Sequence, residues 1–151
     1  MLDVKVNQTK LNREVRHLLA RLPEELREPA VKKVAFDVLH DVQLGIYTGG
    51  FGNPKRVDTG RYVGGWRMAQ ADLGLGSGDT LGALPGDGYA EVKTSGDKTV
   101  AVLTNAVEYA SYVEYGTSKM EAGNHVAVAL QRAGDDVRQV VTQLMRKVWE
   151  G

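Results

Sequence analysis

Cysteine is absent from the 151 residues. That excludes a disulfide framework, a thiolate metal centre and thiol catalysis. No apolar run approaches the roughly 20 residues of a membrane-spanning helix. The opening residues, MLDVKVNQTK, hold no signal-peptide core. A cytoplasmic protein, or one built into a particle that later leaves the cell, is expected. Excess charge is missing too: 19 Lys and Arg stand against 19 Asp and Glu. Affinity for nucleic acid comes largely from surplus positive charge, so a dedicated nucleic-acid binder is disfavoured. Histidine is scarce, with His17, His40 and His125 far apart and no His-x-x-x-His pair. No metal site is expected, and no cofactor.

What the chain does contain is ordinary globular composition and a length that suits one domain over residues 1–151. Leu11 to Leu22 places Leu11, Val15, Leu18, Leu19 and Leu22 on one helical face, with Thr9 as N-cap and Pro23 as its end. A second helix is predicted from about Pro23–Glu25, or from Pro29. It carries Leu26, Ala30, Val34, Val38, Val42 and Ile46 at four-residue spacing and stops at Thr48-Gly49-Gly50. Phe51 to Lys55 reads as a loop. Arg61 to Ala69 reads as a strand weakened by Gly64-Gly65. Residues 72–88 are Gly-rich without a core period, which predicts a long mobile loop. In it Leu73, Leu75, Leu81 and Leu84 are candidates for contact with a neighbouring subunit. Tyr89–Thr94 and Lys98–Thr104 flank Ser95-Gly96-Asp97 as a β-hairpin, with Val100 and Val102 on one face. A short helix over Val107–Tyr115 and a long one over Asn124–Trp149 complete the chain.

Catalytic patterns fail one by one. The GLGSG stretch supplies backbone amides, but no Gly-Lys-Ser/Thr follows, so it is not a phosphate loop. Ser77, Ser95, Ser111 and Ser118 lack the setting of a nucleophile elbow. Glu108 and Glu114 lie six residues apart, about 240° around a helix, and read as solvated charges rather than an acid/base pair. No enzyme is expected. The unusual stretch is VEYASYVEYGTSKM, Val107 to Met120. Tyr109, Tyr112 and Tyr115 share a broad helical face. Tyrosine suits both a core edge and a protein interface. Tyr109 is expected in the core, and Tyr112 or Tyr115 at a subunit contact. Glu114, Gly116, Thr117, Lys119 and Met120 are further interface candidates, with Lys119 and Met120 read as an exposed, flexible pair.

Two segments together carry a family resemblance. Val57-Asp58-Thr59-Gly60-Arg61, followed by Gly65-Trp66-Arg67, resembles the opening motif of small neck and tail-completion proteins of tailed bacteriophages. Asn105 to Met120 resembles the later N-x-x-x-Y-A-x-Y-x-E-x-G-T-x-x-M segment of that family. Asp58, Thr59 and Gly60 are themselves turn chemistry. The sequence departs from the family after Met120, where Pro-Phe is missing, and at Gly65, where Ser is usual. The resemblance implies an α+β fold, a small mainly antiparallel sheet packed by long helices. It implies a structural virion protein: a ring, often sixfold, at the head–tail junction or top of the tail, which joins head and tail and lines the DNA channel. The partners implied are other copies of the chain, neighbouring neck, tail-terminator or tail-tube proteins, and DNA passing without specific binding. No membrane partner is implied. The nearest rival is a tail terminator capping the tail tube. A rival of another class is a nucleic-acid-binding module using Lys5, Lys10, Arg13, Arg16 and Arg21, which do not form one stripe.

Overall fold

The computed structural model describes residues 2–5, 17, 20–49, 60–74, 86–96 and 98–150. The described elements are β1 (Leu2–Lys5), α1 (Glu24–Thr48), α2 (Arg61–Asp72), β2 (Gly88–Ser95), β3 (Lys98–Asn105), α3 (Ala110–Tyr115) and α4 (His125–Glu150). The fold is α+β. β3 lies between β1 and β2, and both pairings are antiparallel. The expected helix at Leu11–Leu22 lies largely outside the described residues, as do the Phe51–Lys55 loop, Asp58, Thr59, Leu75, Leu81 and Leu84.

Helix α1 begins at Glu24, and its first turn holds Glu24 and Glu25 against the positive end of the helix dipole. Pro29 sits inside rather than at the start, on an exposed position. Its last carbonyls are closed by Gly49, left-handed at φ 66°, whose N–H donates to the Gly45 carbonyl at 3.0 Å. Ala30, Val38, Val42 and Ile46 of the four-residue stripe are buried, together with Ala35 and Leu39. The stripe packs α1 along α4, and the next face packs it on α2 and the sheet. Val126, Ala129, Leu130, Ala133 and Val137 form the answering stripe of α4.

Arg61 to Ala69 is a helix and not the expected strand. Tyr62, Val63, Trp66, Ala69, Gln70 and Leu73 are buried. Their spacing of one, three, three, one and three residues is a helical stripe. The glycine pair that weakened the strand reading has a packing purpose. A Cβ on Gly65 would lie 2.1 Å from Asn105 Oδ1, and one on Gly88 would lie 2.0 Å from the Gly65 carbonyl oxygen. Small residues there let α2 lie directly on the end of the β2–β3 hairpin.

The hairpin forms, with β3 one residue longer than expected at its outer end and β2 one residue longer at both ends, so that Ser95 pairs with Lys98 instead of standing in the turn. Val100 and Val102 do share a face, but the core is lined by Ala101 and Leu103 of the other face. The 72–88 segment is narrower than expected as a loop. Asp72 closes α2, Gly88 opens β2, and Leu73 is buried in this chain's own core rather than presented to a neighbour. Among the described residues no helix is long and apolar enough to cross a membrane.

Candidate functional site

The tyrosine-rich stretch begins at a buried latch. Asn105, the last residue of β3, donates from Nδ2 to the Tyr62 carbonyl at 2.8 Å and accepts the Val107 N–H at 3.1 Å on Oδ1. One side chain thus ties α2, β3 and the approach to α3 together. Helix α3 spans only six residues, Ala110–Tyr115; residues 107–109 form a turn closed by Ala110 N–H to the Val107 carbonyl. Ala110 and Val113 point into the core. Tyr109 is half-buried against the core, and the Arg61 guanidinium lies 5.4 Å from its ring centre. Arg61 also grips Glu108 through two parallel hydrogen bonds of 2.7 Å. That fork holds the Glu108 carboxyl down to about 2 and raises Arg61 above its usual value.

Glu114 is not the solvated charge expected. It is 3% exposed. Its two carboxylate oxygens accept the Val126 N–H at 3.1 Å, and Oε1 accepts the Ala127 N–H at 3.2 Å. The Tyr62 hydroxyl donates to Oε2 at 3.3 Å. Val126 and Ala127 lie in the first turn of α4, where amides have no partner inside the helix. A side chain from another helix therefore does the work of an N-cap, and its negative charge meets the positive end of α4. Burial, and then the Glu114 charge, push the Tyr62 hydroxyl far above the phenol range. His125 is fully buried beside it, with ring centres 5.9 Å apart.

The segment after α3 folds back onto it. Gly116 ends the helix at φ 80°, and a Cβ there would lie 2.7 Å from the Ala122 nitrogen. Thr117 and Met120 pair across a tight turn, with N–H to carbonyl distances of 2.8 and 3.3 Å. Gly123 N–H returns to the Val113 carbonyl at 2.8 Å and Asn124 N–H to the Glu114 carbonyl at 3.1 Å. Lys119 is exposed as expected, but Met120 packs against the core and is not half of a free pair. Gly60 stands left-handed at φ 83° at the start of α2.

Opposite this anchored side, α3 presents Tyr112 at 58% and Tyr115 at 69% exposure. Tyr112, Tyr115 and the Thr117–Lys119 turn that follows them are therefore exposed, while Glu114 is buried and Met120 partly so. Sequence reasoning missed Tyr62, His125 and the Arg61–Glu108 fork. Those pairs are separated by 47 to 63 positions in the chain, and no local pattern announces them. Asn105 was present in the resembling segment, but its role shows only in three dimensions.

A second polar feature is a groove of about 400 Å³ between α1 and α4, bordered by Asp37, His40, Asp41, Arg132, Asp136 and Gln139. Burial first, then the neighbouring Asp37, push the Asp136 carboxyl up to about 7. Among the described residues no group of His, Asp and Glu is arranged to hold a metal ion.

Comparison with known proteins gives one family. The family model HK97-gp10-like, described as "Bacteriophage HK97-gp10, putative tail-component", matches residues 9–116. No curated protein and no solved structure matches the chain.

Proposed function

The chain belongs to the HK97-gp10-like family of bacteriophage tail components, and from that premise we propose that it forms a ring at the head–tail junction or at the top of the tail. In this reading the ring, sixfold by the resemblance, joins head and tail and surrounds the DNA channel. The chain acts as a structural part of the virion and carries out no reaction.

The observation that carries the reading is the exposed pair Tyr112 and Tyr115 on a helix whose other face is locked into the core. A rigid aromatic surface binds a partner with little loss of side-chain freedom. It is backed by the Asn105 latch and the Glu114 cap, so the surface keeps its shape before the partner arrives. The balanced charge supports a channel through which DNA slides rather than a surface that holds it. The contacts offered to neighbours are Tyr112, Tyr115, Gly116, Thr117 and Lys119; Leu75, Leu81 and Leu84, outside the described residues, are offered as further contacts on the sequence alone.

Electron microscopy of the purified protein and of the assembled particle tests this. Rings, and density for this chain between portal and tail tube, are expected. Density capping only the distal face of the tail tube would favour a terminator. Normal joined particles in the absence of the protein would reject both.

A further inference from the structure

Among the described residues the sheet has two outer edges, one on β1 and one on β2. Both strands run antiparallel to β3, so they run parallel to each other. The Ala106 N–H donates to the Asp87 carbonyl at 2.8 Å, which sets the phase of the ladder. Hydrogen-bonded pairs recur at every second residue of an antiparallel ladder. Tyr89, Glu91, Lys93 and Ser95 therefore turn their backbone groups to β3, while Ala90, Val92 and Thr94 turn theirs outward. The Ala90 N–H agrees with that phase: it leaves the sheet and donates to the Asp72 carboxylate at 2.9 Å. Carried across β3, the same phase turns the backbone groups of Asp3 and Lys5 to the outer side of β1.

Gly88, the first outward position of β2, lies against Gly65 of α2; Asp72 covers the next outward donor, the Ala90 N–H, and leaves the four groups after it, for which the described residues supply no partner. They are the Ala90 carbonyl, the Val92 N–H and carbonyl, and the Thr94 N–H. The four-residue β1 offers four groups of complementary kind, the N–H and carbonyl of Asp3 and of Lys5. We propose that β1 of one copy adds to the β2 edge of the next, so that the sheet runs on from subunit to subunit. With Val92 opposite Val4 of the neighbouring copy, the Val92 N–H donates to the Asp3 carbonyl and the Lys5 N–H donates to the Val92 carbonyl. The Asp3 N–H donates to the Ala90 carbonyl, and the Thr94 N–H to the Lys5 carbonyl. All four groups on each side are then satisfied.

The occupant is a second copy of this chain because both complementary edges belong to the same sheet and run in the same direction. A contact between two different edges is heterologous: it closes into a ring where the rotation between copies divides a full turn, and runs on as a filament where it does not. An open strand edge is otherwise a hazard that proteins cover or block. This inference rests on the ring reading above and supplies the interface that reading requires.

Two experiments separate the inference from that reading. Native mass spectrometry of the wild-type chain tests the ring itself; a chain that never multimerises, alone or in particles, overturns both. Val92→Pro removes one outward donor and leaves the β2–β3 ladder intact, since the Val92 N–H does not bond to β3. Assembly should weaken by about tenfold or more, with the far-ultraviolet circular dichroism of the wild type retained. Wild-type ring yield in that variant overturns the inference and leaves the ring standing. The chain's lack of cysteine allows a second readout that does not depend on the variant's fold. Asp3→Cys with Glu91→Cys should give a ladder of disulfide-linked multimers on oxidation of assembled material. Glu91→Cys alone should give none; dimers from it would mean two-fold pairing of β2 edges and would overturn the proposal, as would wild-type-like rings of the double variant that fail to cross-link.

Discussion

Two carboxyl groups meet helix α4, and the molecule handles them in opposite ways. Glu114 is sealed at the helix N-terminus, where two backbone amides and a tyrosine hydroxyl all donate to it. Asp136 lies midway along the helix, in a groove it shares with another carboxyl, Asp37. The first arrangement satisfies a buried charge with donors and so ties three elements together. The second is relieved by holding a proton, with Lys33 opposing the shift. One is a fixed corner; the other is a joint whose strength depends on pH.

The largest effect should come from removing the donors' target. Glu114→Ala leaves two amides and a hydroxyl without a partner in the interior. It should cost about 3 kcal/mol, since hydrogen bonds to charged groups are worth roughly 1.5–3 kcal/mol each and a cap about 1. Urea unfolding measures it, and a loss under about 1 kcal/mol would mean the corner is not held this way. Gly65→Ala attacks the same corner from the sheet side. Its methyl group would displace the Asn105 side chain from Tyr62 and Val107. Overpacking of this kind costs about 2 kcal/mol, and unchanged stability would show that Asn105 has room to move.

The Asp136 joint is weaker. Its folded value of about 7 lies above the ordinary 3.8. Between those values the unfolded chain has lost the proton and the folded chain keeps it, so stability falls as pH rises from about 4 to about 7 and is level above. The group is partly open to water, and screening limits the loss to about 1 kcal/mol. Asp136→Asn should flatten the slope over that window and leave the variant slightly more stable at pH 8. An unchanged slope would place the titration elsewhere.

Helix-level organisation was legible where one face is buried at a regular period, as along α1 and α4. The turn glycines Gly49 and Gly116 were legible too, because few other residues adopt their backbone angles. The Arg61–Ala69 segment was not, because its glycines answer to Asn105 and Gly88, which lie in a distant part of the chain. Glu114 looked like a solvated charge for the same reason. The amides it caps are 12 and 13 residues further on, beyond a fold-back that no periodicity describes. Of the tyrosines, the three-residue spacing put all three on one face; Tyr109 instead packs against the core because it lies in the turn before α3, while Tyr112 and Tyr115 on the helix are exposed. What they meet there is a matter for assembly.

The smallest expected effect on stability is at those two exposed rings, and it bears most directly on the claim that one face of α3 holds the fold while the other meets a partner. Thermal unfolding and particle assembly, measured side by side for Tyr112→Ala/Tyr115→Ala and for Glu114→Ala, decide it. The double tyrosine variant should stay within about 0.5 kcal/mol of wild-type stability. It should nonetheless lose about 2 kcal/mol or more of association, so that heads and tails remain unjoined; Glu114→Ala should lose stability first. A double tyrosine variant that unfolds early, or that is stable and still gives joined, infectious particles, would contradict the account.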